Sequence, residues 1–334
     1  MRISKSLITL AVLSLSVIAF AQPANPPQGG QQGQRRQAAP TVTTNPNAHD
    51  PVLAKEGDWY YLFTTGGGVI KSKDLITWEN DGSTNVGGYW APDIIYHDGL
   101  WHLTYAVSAF AKNTSVIKHA YNKTLDRNSP DFKWVETGVI VESIPYRDMW
   151  NAIDPNVIID ENGDPWMDFG SFWNGMKLVK LTKDLSAVAE PQEWRTVCAR
   201  ERAFFLDDND PGDAAVEAPF IFKKGDWYYL LVSYDYCCRG INSDYKIVVG
   251  RSKDVKGPYL DKEGKSLTRG GGTVIASSSD DYVAIGHCGA YTIDGEDILV
   301  AHAYTIADNG ASKLFVGNLV WDNDGWFTIE KRNK

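Results

Sequence analysis

Beyond its first twenty residues this sequence has no long apolar run, no convincing helical periodicity, no basic excess and no paired cysteine spacing. Each absence removes a class of protein. Without a second long apolar stretch there is no membrane span. Without a 3.6-residue period the pattern points to strands. Lys and Arg total 33 against 42 Asp and Glu, a formal charge of −9. Nucleic acids and anionic membranes need a basic footprint, so neither is an expected partner and a neutral substrate fits better. The four cysteines, Cys198, Cys237, Cys238 and Cys288, show no CxxC spacing of the kind zinc sites use. Their disulfide state stays open: the adjacent pair can bond internally, bond to the other two, or remain reduced.

What is abundant is aromatic surface, with 12 Trp and 16 Tyr. Such residues fill cores, and they also stack on the apolar faces of sugar rings. Arg2 and Lys5 precede an apolar run from Leu7 to Phe20, and Ala19-Phe20-Ala21 places small residues at the −3 and −1 positions. A signal peptide over 1–21 is expected, with export to the periplasm or the medium. Residues 22–44, rich in Gln, Pro, Gly and Ala, are expected to be a disordered linker. Residues 45–334 are expected to form the folded domain.

Within that domain a turn followed by a strand recurs five times. The copies begin at Gly57, Gly99, Gly163, Gly225 and Gly295, as in Gly57-Asp58-Trp59-Tyr60-Tyr61 and Gly225-Asp226-Trp227-Tyr228-Tyr229. Their spacings of 42, 64, 62 and 70 residues suit four-stranded antiparallel units with variable loops. Five such units in a ring make an all-β, five-bladed β-propeller with a central channel. Six to nine residues before each glycine stand Asp50, Asp93, Asp154, Glu217 and His287. Residues at the start of each inner strand converge near the axis, so these five are expected to ring one pocket. Asp beside Pro or Asn also caps turns; recurrence at one repeat position favours a site.

Carboxylates held together without a basic cluster suit acid–base chemistry. Glycosidic hydrolysis needs a protonated carboxyl to protonate the leaving oxygen and an ionised one to activate water or attack. Burial and like charge push two such pKa values apart. Glu217, with its longer side chain, suits the acid; Asp50, in His49-Asp50-Pro51, suits the base.

His49-Asp50-Pro51, Ala91-Pro92-Asp93, Ala152-Ile153-Asp154-Pro155-Asn156 and Glu217-Ala218-Pro219 together resemble glycoside hydrolase family 43 over residues 45–334. Tyr89-Trp90-Ala91-Pro92-Asp93, Gly170-Ser171-Phe172-Trp173-Asn174-Gly175 and Tyr236-Cys237-Cys238-Arg239-Gly240 are similar to segments of its endo-1,5-α-L-arabinanases. The resemblance implies an inverting hydrolase acting on arabinan, with Asp50 as general base, Glu217 as general acid and Asp154 tuning Glu217. It implies a gap of roughly 6.5–9.5 Å between the Asp50 and Glu217 carboxyls, room for a water. It also implies sugar platforms at Trp90, Phe172 and Trp173, and hydrogen bonds to arabinose from Asn151 and Ser171. Arg239 would reach a substrate hydroxyl or a catalytic carboxylate, against the alternative of a structural ion pair. His287 matches a histidine that binds a channel ion, usually calcium, with waters completing the shell. No organic cofactor is expected, and a monomer is.

Three other readings stay open. An exo-acting arabinanase, arabinofuranosidase or β-xylosidase of the same family would have its groove blocked, and the insertions at 121–150 and 195–215 are candidates for the block. A sugar-binding propeller without catalysis would keep the aromatics but not the carboxylates. A protein-interaction propeller has no use for either.

Overall fold

A computed structural model describes residues 42–332. The expected signal peptide and most of the expected linker lie outside them. The linker expectation is corrected at its C-terminal end. Val42 and Thr43 form a short strand, β1 (Val42–Thr43), opposite Glu79 and Trp78.

Five antiparallel sheets follow in sequence, each folded from one continuous stretch. Blade 1 comprises β2 (Val52–Glu56), β3 (Trp59–Phe63), β4 (Gly68–Ser72) and β5 (Trp78–Ser83), with β1 on its outer edge. Blade 2 comprises β6 (Trp90–His97), β7 (Leu100–Val107), β8 (Ser115–Asn122) and β9 (Val135–Ser143). Blade 3 has β10 (Asn156–Ile159), β11 (Pro165–Phe169), β12 (Met176–Lys180) and β13 (Trp194–Cys198). Blade 4 has β14 (Val216–Lys224), β15 (Trp227–Tyr234), β16 (Lys246–Ser252) and β17 (Thr273–Ala276). Blade 5 has β18 (Tyr282–Ile293), β19 (Glu296–Thr305), β20 (Ala311–Trp321) and β21 (Phe327–Lys331). The first strand of each blade meets that of the next, β2 to β6, β10, β14, β18 and back to β2, which closes the ring. The chain is a five-bladed β-propeller. Among the described residues the only helical turns are two three-residue 3-10 segments, and no helix is long and apolar enough to cross a membrane.

Strand sequence follows from burial on both faces. In β15, Tyr228, Leu230 and Val232 pack toward blade 3, while Tyr229 and Leu231 pack toward blade 5. The period-2 alternation therefore separates two apolar faces, which explains the near-continuous apolar run. Apolar clusters fill all five seams between neighbouring blades. The repeated glycines sit in the turn that follows each inner strand; Asp98-Gly99, with φ of 47° and 81°, has the twist of a two-residue hairpin turn.

A second regularity positions the site. Asp50, Ala91, Asp154, Ala218 and His287 all take positive φ, between 43° and 55°. Four of them precede a proline: Pro51, Pro92, Pro155 and Pro219. Asp50 and Asp154 lie two residues before a first strand and Ala91, Ala218 and His287 within one, and the ladder breaks there in blades 2, 4 and 5. The amide three residues on is then bonded by a side chain from the preceding blade. Val157 N–H donates to Asp93 Oδ2 at 2.7 Å, Ile221 N–H to Asn156 Oδ1 at 2.9 Å, and Leu53 N–H to the Tyr291 hydroxyl at 3.0 Å.

Candidate active site

The left-handed residue turns its side chain toward the axis, and this sorts the five expected residues. Asp50, Asp154 and His287 occupy the equivalent position itself. Glu217 stands one residue before it and Asp93 two after. Asp50, Asp154, Glu217 and His287 come together. Asp93 does not; the expectation that it rings the same pocket is corrected. Its carboxylate points between the inner strands and serves as the latch to Val157.

Asp50 is the most heavily partnered member. Its Oδ1 lies 2.9 Å from His287 Nδ1, 3.5 Å from His302 Nδ1 and 3.8 Å from His49 Nε2. Thr65 donates its hydroxyl to Asp50 Oδ2 at 2.5 Å and accepts from Ala91 N–H at 2.7 Å. The Asp50 amide donates to His302 Nδ1 at 3.1 Å. Burial alone would raise the Asp50 pKa, but His287 above all, with His49 and His302, holds it well below the usual carboxylate range. His287 is pushed up to about 9: burial opposes its charge, but Asp50, Asp154 and Glu217 outweigh it.

Glu217 is placed at the wall by two hydroxyls. Ser171 donates to Oε2 at 2.8 Å and Tyr245 to Oε1 at 2.9 Å. Burial raises its pKa despite these bonds. Asp154 accepts from Ala218 N–H at 3.1 Å and is pushed up to about 8, by burial first and then by the nearby Glu217 and Asp50 carboxyls, against His287. The environment thus divides the three carboxyls: one ionised against a histidine, two inclined to hold a proton. That is the division a general base and a general acid require.

The sugar-contact expectations fare unevenly. Trp90 and Phe172 are half-buried, and Phe172, at φ 53°, lies 6.0 Å from the Tyr236 ring. Trp173 is not a platform; it is only 2% exposed and anchors a loop through Nε1 to Asp208 O at 2.9 Å. Asn151 is buried, accepting from Ser143 at 3.4 Å and donating to Lys112 O at 3.1 Å, so it braces neighbouring loops. Ser171 orients Glu217. Arg239 lies over the Tyr236 ring at 3.7 Å, and among the described residues it has neither the expected carboxylate contact nor an ion pair.

Thr65, Tyr245 and His302 belong to the site and carry no sequence motif. His302, inside Ala301-His302-Ala303, is a polar residue in an apolar strand; that was the one available signal.

His287 donates Nδ1–H to Asp50, which leaves Nε2 as the atom for an ion or a proton, with no protein hydrogen bond among the described residues. A carboxylate behind one ring nitrogen is the usual arrangement of a metal-bound histidine. Calcium prefers six to eight oxygens, so water would supply most of its shell. His49, Asp50 and His302 also cluster, but His302 Nδ1 already accepts the Asp50 amide. A separate cavity of about 490 Å³ at the seam of blades 5 and 1, lined by Trp78, Leu314, Phe315 and the Asp281–Lys331 ion pair, touches none of these groups.

The sequence profile of glycosyl hydrolases family 43 matches residues 39–327. The chain belongs to that family. Among the relatives of this family 43 member is the extracellular exo-alpha-(1->5)-L-arabinofuranosidase ArbA of Cellvibrio japonicus, 49% identical over 302 residues, 86% of this chain and 87% of that protein. The extracellular endo-alpha-(1->5)-L-arabinanase 1 of Bacillus subtilis is 39% identical over 303 residues, 85% and 88% of the two chains. The solved alpha-L-arabinanase of Cellvibrio cellulosa, complexed with arabinohexaose, superposes with a TM-score of 0.84 at 47% identity, over 86% of this chain and 96% of that one.

Proposed function

We propose that this glycoside hydrolase cleaves α-1,5-linked L-arabinofuranosyl chains with inversion, outside the cytoplasm. The division of carboxyl protonation between Asp50 and the Glu217–Asp154 pair carries the reading. Asp50, held ionised by His287, accepts a proton from water as that water attacks the anomeric carbon. Glu217, holding its proton, gives it to the departing glycosidic oxygen. Asp154, itself raised by burial and by the Glu217 and Asp50 carboxyls, fixes the adjoining Ala218 amide and so helps orient Glu217. Relatives named extracellular agree with export.

The mode of attack has two readings. Motif resemblance favours internal cleavage, while the 49% identical relative is named exo-acting. We take release from a chain end as the leading mode, because loops around 144–150 and 199–215 join beside Ser171. Asn174 N–H donates to Met149 O at 3.0 Å, and Trp173 bonds Asp208 and Pro211. The rest of the expected 121–150 block lies elsewhere. Thr124, Leu125 and Asp126 are bonded to Glu56 at the far end of β2, and 135–143 is strand β9. Product profiles on linear arabinan, beside branched arabinan and xylan, test both readings. Early release of arabinose or one short oligomer supports the exo mode, and a ladder of oligomers the endo mode. Xylan as the preferred substrate overturns the assignment.

His287 would hold one ion through Nε2, calcium first, supplying positive charge behind Asp50 in place of a proton. Elemental analysis should find a metal in the parent and not in His287→Ala; a metal-free parent overturns this.

A further inference from the structure

Cys237 and Cys238 are joined to each other, while Cys198 and Cys288 are free and buried. The bond closes a ring that includes the peptide between them, with Cys238 at φ 66°. Their loop is tied down on both sides. Tyr236 N–H donates to Asp244 Oδ1 at 2.8 Å, Cys238 N–H to the Tyr304 hydroxyl at 2.8 Å, and Arg239 N–H to Ser243 Oγ at 3.1 Å.

The two cysteines face different ways. Cys237 packs against Tyr245, Ala284 and Tyr304, and Tyr245 holds Glu217. Cys238 is exposed, its sulfur 3.8 Å from His49 Nε2, and that nitrogen is 3.8 Å from Asp50 Oδ1. The disulfide therefore spans the rim between the wall that carries Glu217 and the histidine beside Asp50. Oxidised sulfurs have no S–H to donate and offer soft, polarizable surface. The C–H face of a sugar ring needs such a surface, and the Tyr236 ring under Arg239 continues it.

We propose that the Cys237–Cys238 disulfide is a substrate-binding element, the surface on which the arabinofuranosyl unit beside Asp50 rests. The proposal depends on the arabinan reading above. In a Cys237→Ser/Cys238→Ser double variant, kcat and KM are measured separately on linear α-1,5-arabino-oligosaccharides. KM rises about fivefold, the equivalent of about 1 kcal/mol of lost contact, while kcat and its pH profile hold. An unchanged KM overturns the proposal. So does a fall in kcat with a displaced pH profile at constant KM, because the bond would then act only by holding His49 or Tyr245.

Should the double variant not fold, the parent is compared before and after dithiol treatment. The added dithiol supplies two electrons and two protons, becomes a disulfide itself and leaves two thiols. KM must rise on reduction and return on reoxidation, with alkylation and peptide mass showing that Cys237 and Cys238 opened. A KM that stays put through confirmed opening overturns the proposal. A parent inactive on arabinan fails the functional reading; an active parent matched by the double variant fails only this inference.

Discussion

Asp50 and Glu217 are carboxyls in one pocket, and their neighbours give them opposite protonation. Asp50 faces His287 and the hydroxyl of Thr65; Glu217 faces two hydroxyls and, among the described residues, no cation at hydrogen-bond distance. Asp50→Asn and Glu217→Gln should each lower kcat by about 10²–10⁴-fold, the usual worth of a general acid or base, with little change in melting temperature. The pH profile of kcat/KM should be a bell. Its acid limb lies below the usual carboxylate range, because Asp50 keeps its charge as pH falls. Its alkaline limb lies above that range, because Glu217 and Asp154 release their proton late. The Tyr245 hydroxyl favours ionised Glu217, so Tyr245→Phe should move the alkaline limb up. Asp154→Asn keeps a neutral side chain where Asp154 holds a proton, so it should leave that limb near its place. An alkaline limb that stays in place in Tyr245→Phe would refute the assignment of Glu217.

Asp93 makes stability depend on pH. Burial pushes its pKa up to about 6, against the hydrogen bonds it accepts from Val157, Asn156 and Ile94. The folded state therefore holds a proton that the unfolded state has lost between about pH 4 and 6. Stability from this group is present below the unfolded pKa and lost as pH rises through the folded one. Blade 3 makes the same latch with a neutral Asn156. Asp93→Asn should match the parent near pH 4 and be more stable above pH 6, by on the order of 2 kcal/mol. Thermal unfolding across that range checks it, and equal curves at pH 7.5 would contradict it.

The inner strands and the left-handed residue each carries or follows explain what was legible. The Asp50-Pro51, Asp154-Pro155 and Ala218-Pro219 steps are plain in the sequence, and they placed three carboxyls near the axis. What the pattern concealed is direction. Counting back from the turn glycine treats Asp93 and Glu217 as equivalent to Asp50, yet in a strand an offset of one or two residues changes which way a side chain points. His302 and Tyr245 were hidden for another reason: one is inside the second strand of blade 5, the other in a blade 4 loop, and neither recurs. Trp173 looked like a platform and is a loop anchor, a difference that burial decides. Replacing 203–206, whose Phe204 and Phe205 are 96% and 76% exposed, with a short Gly-Ser link keeps the Asp208 carbonyl that Trp173 holds and should leave folding intact. If that loop closes the groove, longer oligosaccharides should appear early in digestion of linear arabinan; an unchanged profile would free the loop of that role.

The ring is closed where residues 46–48 lie on blade 5. Ala48 N–H bonds Ser312 O at 3.3 Å, Leu314 N–H bonds Pro46 O at 3.1 Å, and the Ser312 hydroxyl bonds Ala48 O at 2.6 Å. These contacts lie next to His49 and Asp50, so ring closure and the candidate active site share a seam. Removing residues up to 48 should lower the melting temperature by several degrees, at about 2–4 °C per kcal/mol for a domain of this class. Removing residues only up to 41 keeps every contact named here and should not.

In the proposed mechanism Asp50 and Glu217 act from opposite sides of an α-1,5 arabinofuranosyl bond, with water between. Proton NMR of the reducing ends formed in the first minutes of digestion of linear arabinan tests it most directly. Inversion gives β-anomeric arabinose ends first, mutarotating later, and none above background in Asp50→Asn or Glu217→Gln. Ends that appear first as the α anomer, or hydrolysis undiminished in either variant, would contradict it.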